Sequence, residues 1–237
     1  MAAASSPAIG RHPHLAAPLP DGWVRVDLHS HTMWSGDSTT TPAELLDAVV
    51  ASGIDVLCIT DHNAIRGALE VAPSLPCRVV IGEELKTHAG EIIGLFLNER
   101  IPVGVRPIDA ARLIRDQGGL VYIPHPFDPM RRNLDESVMR QLAEAGLIDA
   151  IEVLNAKTSL QSLNVKAAAF AEEFDLAAGA GSDAHVPHAI GAAYVEMPDF
   201  DGPLDFRAKL RVARVVGHHW DEPRPWSPRV LPSTSIH

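Results

Sequence analysis

Residues 26–38 read VDLHSHTMWSGDS. The run opens as an apolar strand and ends in two imidazoles, His29 and His31, where a packing side chain would be expected. Side chains two residues apart in an extended chain project to the same side, so these two rings can reach one ion. Comparable endings recur downstream. "CITDHN" puts Asp61 and His62 after the strand expected over 56–60, and "VVIGEEL" puts Glu83 and Glu84 after the one over 78–82. "LVYIPHPF" closes residues 120–124 with His125, and "AGAGSDAH" follows residues 177–181 with Asp183 and His185. Neutral imidazole and carboxylate together suit zinc, manganese or iron(II). A cation also removes the repulsion among acidic groups gathered in one place.

Further strands are expected over 23–28, 92–97, 150–154 and 194–197, with helical stretches between them. Thr41-Pro42-Ala43-Glu44 is a capping box with proline in the first helical turn, and that helix stops at Gly53. Others are expected over 107–117, 134–145 and 160–174. Strand and helix alternating in this way predict an α/β fold with a parallel sheet, closed or nearly closed at this length. In such a barrel the strand ends, and the polar residues they carry, meet at one face. The expected organisation is an N-terminal arm (1–22), one barrel domain (23–220) and a proline-rich tail (221–237).

The 237 residues carry a formal charge of −10. Binding along a nucleic-acid backbone needs a basic face, so long polyanions are disfavoured. Cys58 and Cys77 are far apart and outside any CxxC motif, the pattern of buried small residues and not of a disulfide scaffold. No apolar run is long enough to span a bilayer, and the start of the chain has no signal-peptide core. A cytoplasmic location without membrane attachment follows as the expectation; the sequence does not speak to oligomeric state.

In their order, "DLHSHTMWSGDS", "ITDHN", "GEE", "PHPFD" and "GSDAH" resemble the PHP (polymerase and histidinol phosphatase) family, over roughly residues 24–196. The resemblance implies a distorted TIM-like (β/α)7 barrel holding two or three divalent ions (zinc, manganese or iron), most members hydrolysing phosphoesters. Carried over residue by residue, it makes His29, His31 and Asp183 ligands of a first metal and Glu84 the carboxylate bridging to a second, with Glu83 the lesser candidate. His125 becomes a second-metal ligand, and Asp37, His62 and His185 the third set. Many members have a histidine after the bridging glutamate; here "HAGEIIGLFL" offers Glu91 at the aligned position and His88 three residues earlier.

The expected activity is hydrolysis of a small phosphate ester, a nucleotide or sugar phosphate, by a metal-activated water. Alternatives are hydrolysis of a non-phosphate bond, such as an amide or ester, and a non-catalytic metal-binding domain. Asp61 and His185 are the catalytic candidates; Asp61 either orients a ligand from behind or caps the turn before Asn63. Arg131, Arg132 and Lys157 are candidates for gripping phosphate. Asp27 could support the H-x-H strand, though a simple structural role is the expectation, and Glu152 is expected to brace the barrel floor.

Overall fold

The computed structural model describes residues 18–219; most of the expected arm and all of the expected tail lie outside the described residues. The chain opens with β1 (Trp23–Ser30), then α1 (Pro42–Ser52), β2 (Val56–Ile59), α2 (Arg66–Val71) and β3 (Arg78–Thr87). β4 (Gly90–Leu95), α3 (Pro107–Asp116), β5 (Leu120–Ile123), α4 (Glu136–Glu144) and β6 (Ala150–Asn155) follow. The described part ends with α5 (Gln161–Glu173), β7 (Ala177–Gly181), β8 (Ala193–Pro198), α6 (Gly202–Leu210) and β9 (Arg214–Gly217). All strands join one sheet, in the order β7-β6-β5-β4-β3-β2-β1-β8-β9.

That sheet bends round until β7 meets β1, with β8 and β9 extending the sheet beyond β1. Past the end of β7, the Asp183 N–H donates to the His29 carbonyl (2.8 Å) and the His31 N–H to the Ala184 carbonyl (3.0 Å). The barrel is thus nearly closed, and it closes through the residues singled out in the sequence. Val26, Val56, Cys58, Val80, Ile93, Leu95 and Tyr122 fill its interior. On the outside, Leu85, Ile92, Val121 and Ile151 pack under α3, α4 and α5, while Leu57 and Ile59 pack under α1 and α2.

The capping box forms as read: the Thr41 hydroxyl accepts from the Glu44 N–H, the Glu44 carboxylate accepts from the Thr41 N–H, and Gly53 ends the helix at φ 69°. The expectation of a sheet parallel throughout needs correction. β3 runs five residues past the expected strand (Arg78–Gly82, now Arg78–Thr87), turns at His88 and Ala89, and pairs antiparallel with β4. β4 also pairs antiparallel with β5, and β8 with both β1 and β9. A hairpin therefore stands where a crossover helix was expected. α2, α6 and β9 had no strong sequence signal: α2 is a six-residue helix without a side-chain cap, and β9 is largely exposed.

Two irregularities shape the mouth. Asp27 pairs with Leu57 but Ser30 with Ile59, so β1 holds one residue more than β2 over this interval. Such a bulge shifts the side-chain alternation. Asp27 stays outside, where its carboxylate accepts from the N–H groups of His29, Ser182 and Gly191 at 3.2, 3.0 and 3.1 Å. His29 and His31 point into the mouth. β6 has a matching bulge beside Glu152, opposite Gly179 and Ala180.

Close packing around His29 leaves no room at Gly181, where a Cβ would lie 2.3 Å from the His29 Cβ and 2.6 Å from the Glu152 carboxylate. Gly181→Ala is expected to destabilise the protein by about 1–3 kcal/mol, the usual cost of overpacking, measured by urea unfolding. Unchanged stability would show that β7 can move away from β1 at no cost.

Candidate metal centre at the barrel mouth

A cleft of about 200 Å³ opens at the mouth, lined by side chains from most of the strand ends. At its base are His29 and His31, both fully buried, with Nε2 atoms 3.0 Å apart. His29 Nδ1 lies 3.2 Å from Glu152 Oε1, and His31 Nδ1 lies 2.8 Å from the Ser35 hydroxyl. Each ring is therefore held from behind, with its far nitrogen turned to the cleft. Glu84 Oε2 is 3.4 Å from His29 Nε2 and 3.2 Å from His31 Nε2. Asp183 Oδ1 approaches the same two atoms at 3.9 and 3.6 Å.

The mixed topology brings in more acid. Glu84, Lys86 and Glu91 share one face of the β3–β4 ladder, because Lys86 is two residues beyond Glu84 and is paired with Glu91. Glu91 Oε1 is 3.8 Å from His62 Nδ1 and its Oε2 is 3.8 Å from His125 Nε2. His125 Nε2 is 2.8 Å from Glu84 Oε1. Asp37 reaches over from the loop after β1, its Oδ2 3.6 Å from His62 Nε2 and 3.3 Å from His185 Nε2. That loop is tied down by the Thr39 N–H, which donates to the His185 carbonyl (2.9 Å). His125 and Asp183 occupy the left-handed region at φ 28° and 49°, a conformation that costs energy in residues other than glycine and tends to mark working sites.

Among the described residues, four groupings place donor atoms from three residues within 4.8 Å of one another: His29–His31–Asp183, His29–Glu84–His125, His62–Glu84–Glu91 and His31–His62–His185. The donor set fits divalent ions. The mutually facing nitrogens of His29 and His31, with carboxylate oxygens beside them, need positive charge between them. A proton is the other positive charge that fits there, and the surroundings of His29 favour it. Burial disfavours a charged His29, yet Glu152, Glu84 and Asp183 overcome it and hold its pKa well above the ordinary value. Burial and the nearby His185 push His31 the opposite way, well below it. Burial alone would raise Glu84, but His29 and His62 hold it well below the usual carboxylate range. Burial disfavours a charged His62 as well, but Glu84 and Asp37 raise its pKa to about 9. Burial and the Glu84 charge push Glu91 up to about 7. His125 Nδ1 is buried without a hydrogen-bond partner, and His62 Nδ1 lies 3.1 Å from Glu84 Oε2.

Two expectations change, and one open choice is decided. Asp61, a catalytic candidate read either as orienting a ligand from behind or as capping the turn before Asn63, does not line the cleft. Its oxygens accept from the Thr32 N–H (2.7 Å), the Thr32 hydroxyl (2.6 Å) and the Ser35 hydroxyl (2.7 Å), so it acts from behind. Lys157, expected to grip phosphate, does not line the cleft: its amine donates to the Asp183 carbonyl (2.9 Å), meets His185 Nδ1 (2.8 Å) and lies 3.6 Å from Asp183 Oδ1. Glu152 is not a brace for the floor but the partner of His29, and it also accepts from the His125 N–H (2.6 Å) and the Asn155 amide (2.9 Å). Glu83 faces away, accepting from the Ile101 N–H (2.8 Å), and His88 is exposed in the β3–β4 turn.

Arg131 and Arg132 both line the cleft. Arg131 lies 3.6 Å from Asp183 Oδ2 and donates to the Lys157 carbonyl (3.1 Å). Its loop is pinned by Asp128, which accepts from the Ser159 N–H (2.7 Å) and hydroxyl (2.6 Å). Lys86 was missed in the sequence, although its spacing from Glu84 was there to read. No helix among the described residues is long and apolar enough to cross a membrane.

Residues 27–113 match the family model of the PHP domain, and residues 161–215 match the PHP-associated model. Two uncharacterized proteins of Methanocaldococcus jannaschii are similar in sequence. MJ1587 is 40% identical over 146 residues, 56% of this chain and 82% of that protein. MJ0417 is 35% identical over 198 residues, 80% of each. Among solved structures, a two-domain protein from Bacteroides vulgatus, described as containing a predicted PHP-like metal-dependent phosphoesterase, superposes with a TM-score of 0.66 at 20% identity. It is matched over 85% of this chain and 67% of its own. At that identity the likeness is one of fold.

Partners behind a metal ligand typically contribute 10–100-fold to metal affinity. Glu152→Gln is accordingly expected to weaken metal binding by about that factor in a chelator competition, with the far-ultraviolet circular dichroism unchanged. Wild-type affinity in the variant would mean that the carboxylate does not orient His29.

Proposed function

The chain belongs to the PHP domain family, and on that premise we propose that it is a metal-dependent phosphoesterase acting on a small phosphate ester. The observation that carries the reading is the pair of imidazole nitrogens of His29 and His31, 3.0 Å apart and each held from behind. The name of the Bacteroides vulgatus neighbour supports the phosphoester assignment.

His29, His31 and Asp183 would hold one ion, with Glu84 shared with a second held also by His125. Asp37, His62 and His185 would hold a third, and Glu91 stands between the second and third sets, within 3.8 Å of both His125 and His62. Zinc, manganese and iron(II) all suit these donors, and the carboxylate of Glu91 favours the harder ions. Bound divalent metal supplies Lewis-acid polarisation of the phosphoryl group and a water acidic enough to attack near neutral pH. The chain's own residues do the rest. Arg131, Arg132 and Lys86 offset phosphate charge at the rim, guanidinium forks being well matched to phosphate oxygens. The rigid scaffold of Asp128, Glu152 and Asp61 fixes the groups that meet the substrate.

A cleft of about 200 Å³ suits a small ester such as a nucleotide or sugar phosphate. A chain with net charge −10 would repel a long polyanion during approach, so mononucleotides are favoured over long RNA or DNA as substrates.

Turnover of an aryl phosphate is expected to require added divalent metal and to stop on chelation. His31→Ala should remain folded, lose metal by elemental analysis and lose more than about 100-fold in kcat/KM, beyond what partners behind the ligands supply. Activity that survives exhaustive chelation, or a preference for amide or carboxylic ester substrates, would contradict the reading.

Glu91 has to lose its proton to bind a cation, and burial with the Glu84 charge beside it pushes its pKa up to about 7. Metal affinity at its site should therefore rise as pH increases through 7, and Glu91→Gln should abolish that step while lowering metal stoichiometry. Full stoichiometry and an unchanged pH profile in the variant would remove Glu91 from the ligand set.

A further inference from the structure

Ser35 lies in the short 3₁₀ turn after β1 (Met33–Ser35), and its hydroxyl touches the ring of His31 and the main chain of His62, which the assignment above gives to two different metal sets. Its Oγ is 2.7 Å from Asp61 Oδ1, 2.8 Å from His31 Nδ1 and 3.1 Å from the main-chain N–H of His62. A hydroxyl has one proton to give and two lone pairs to receive. The His62 N–H can only donate, so it takes one lone pair. The Asp61 carboxylate takes the proton. It already accepts from the Thr32 N–H and hydroxyl at 2.7 and 2.6 Å, and α2 closes over it so tightly that a Cβ on Gly67 would fall 2.2 Å from Oδ2. The remaining lone pair of Ser35 is left for His31, which must donate through Nδ1–H. His31 Nε2 is then bare and turned to Glu84 Oε2 at 3.2 Å and Asp183 Oδ1 at 3.6 Å.

We propose that Ser35 is a positioning residue shared by two metal sites: one hydroxyl sets the ligating tautomer of His31 and, through the amide of His62, seats a ligand of the neighbouring site. This rests on the metal-dependent reading above. A loop serine of merely structural value would leave metal binding untouched when removed; a shared positioning residue would weaken two sites at once.

The test is zinc titration of the full-length protein against a chromophoric chelator, comparing wild type, Ser35→Ala and Ser35→Thr. It is paired with long-range ¹H–¹⁵N spectra of the histidine rings in the zinc-loaded protein. In Ser35→Ala two zinc equivalents are expected to weaken together by about 10–100-fold. Ser35→Thr, which keeps the hydroxyl, should bind within a few-fold of wild type, and the wild-type His31 signals should report Nδ1–H with zinc at Nε2. If Ser35→Ala does not fold, the Ser35→Thr titration and the wild-type tautomer decide the matter. A folded Ser35→Ala with unchanged affinities, weakening confined to a single equivalent, or a wild-type His31 carrying its proton on Nε2 would each overturn the proposal. Wild-type protein that binds no zinc would instead overturn the metal reading beneath it.

Discussion

One extra residue in β1, between Asp27 and Ser30, governs the mouth of this barrel. Without it the alternation of β1 would carry on from Asp27, which faces outward beside Leu57, and His29 would follow it to the outside. With it, two imidazoles enter the cleft and the backbone of the same residues hydrogen-bonds to Asp183 and Ala184 to close the sheet. Barrel closure and ligand placement are thus one event. A substitution that lets β7 drift from β1 acts on the fold and on the site together.

Around that pair the site is a balance of charge. Asp37, Glu84, Glu91 and Asp183 line a cleft with Lys86, Arg131 and Arg132, and Lys157 Nζ lies 3.6 Å from Asp183 Oδ1. The carboxylates draw protons onto His29 and His62, the same field that would draw divalent ions into their place. Ordering comes from behind. Glu152 serves His29, Ser35 and Asp61 serve His31, and Asp128 holds the arginine loop, none of them needing to touch a substrate. Most of the polar residues buried beneath the mouth are explained by this division between groups that face the cleft and groups that aim them.

Much of this was legible in the sequence, for reasons that can be stated. H-x-H, D-H, E-E and S-D-A-H each stood at the end of an apolar run, and run-ends gather at one face of a barrel. The capping box at Thr41 set the start of α1 because its signal is local. What stayed hidden depended on tertiary pairing. The bulges beside His29 and Glu152 leave no mark in composition. The β3–β4 hairpin was masked because two apolar runs separated by a short polar link suit either a crossover or a turn. Asp61 and Lys157 have the chemistry of functional groups, and only their neighbours, Thr32 and Ser35 for one and the Asp183 carbonyl for the other, show that they work from the second rank.

Anomalous diffraction from crystals grown with manganese, collected where that metal scatters most, is the most direct test of a metal-built mouth. A strong peak is expected among His29 Nε2, His31 Nε2, Glu84 and Asp183, with the two imidazole nitrogens spread beyond their present 3.0 Å separation to admit the ion. A mouth with no anomalous peak, and with those nitrogens still at that separation, would contradict it.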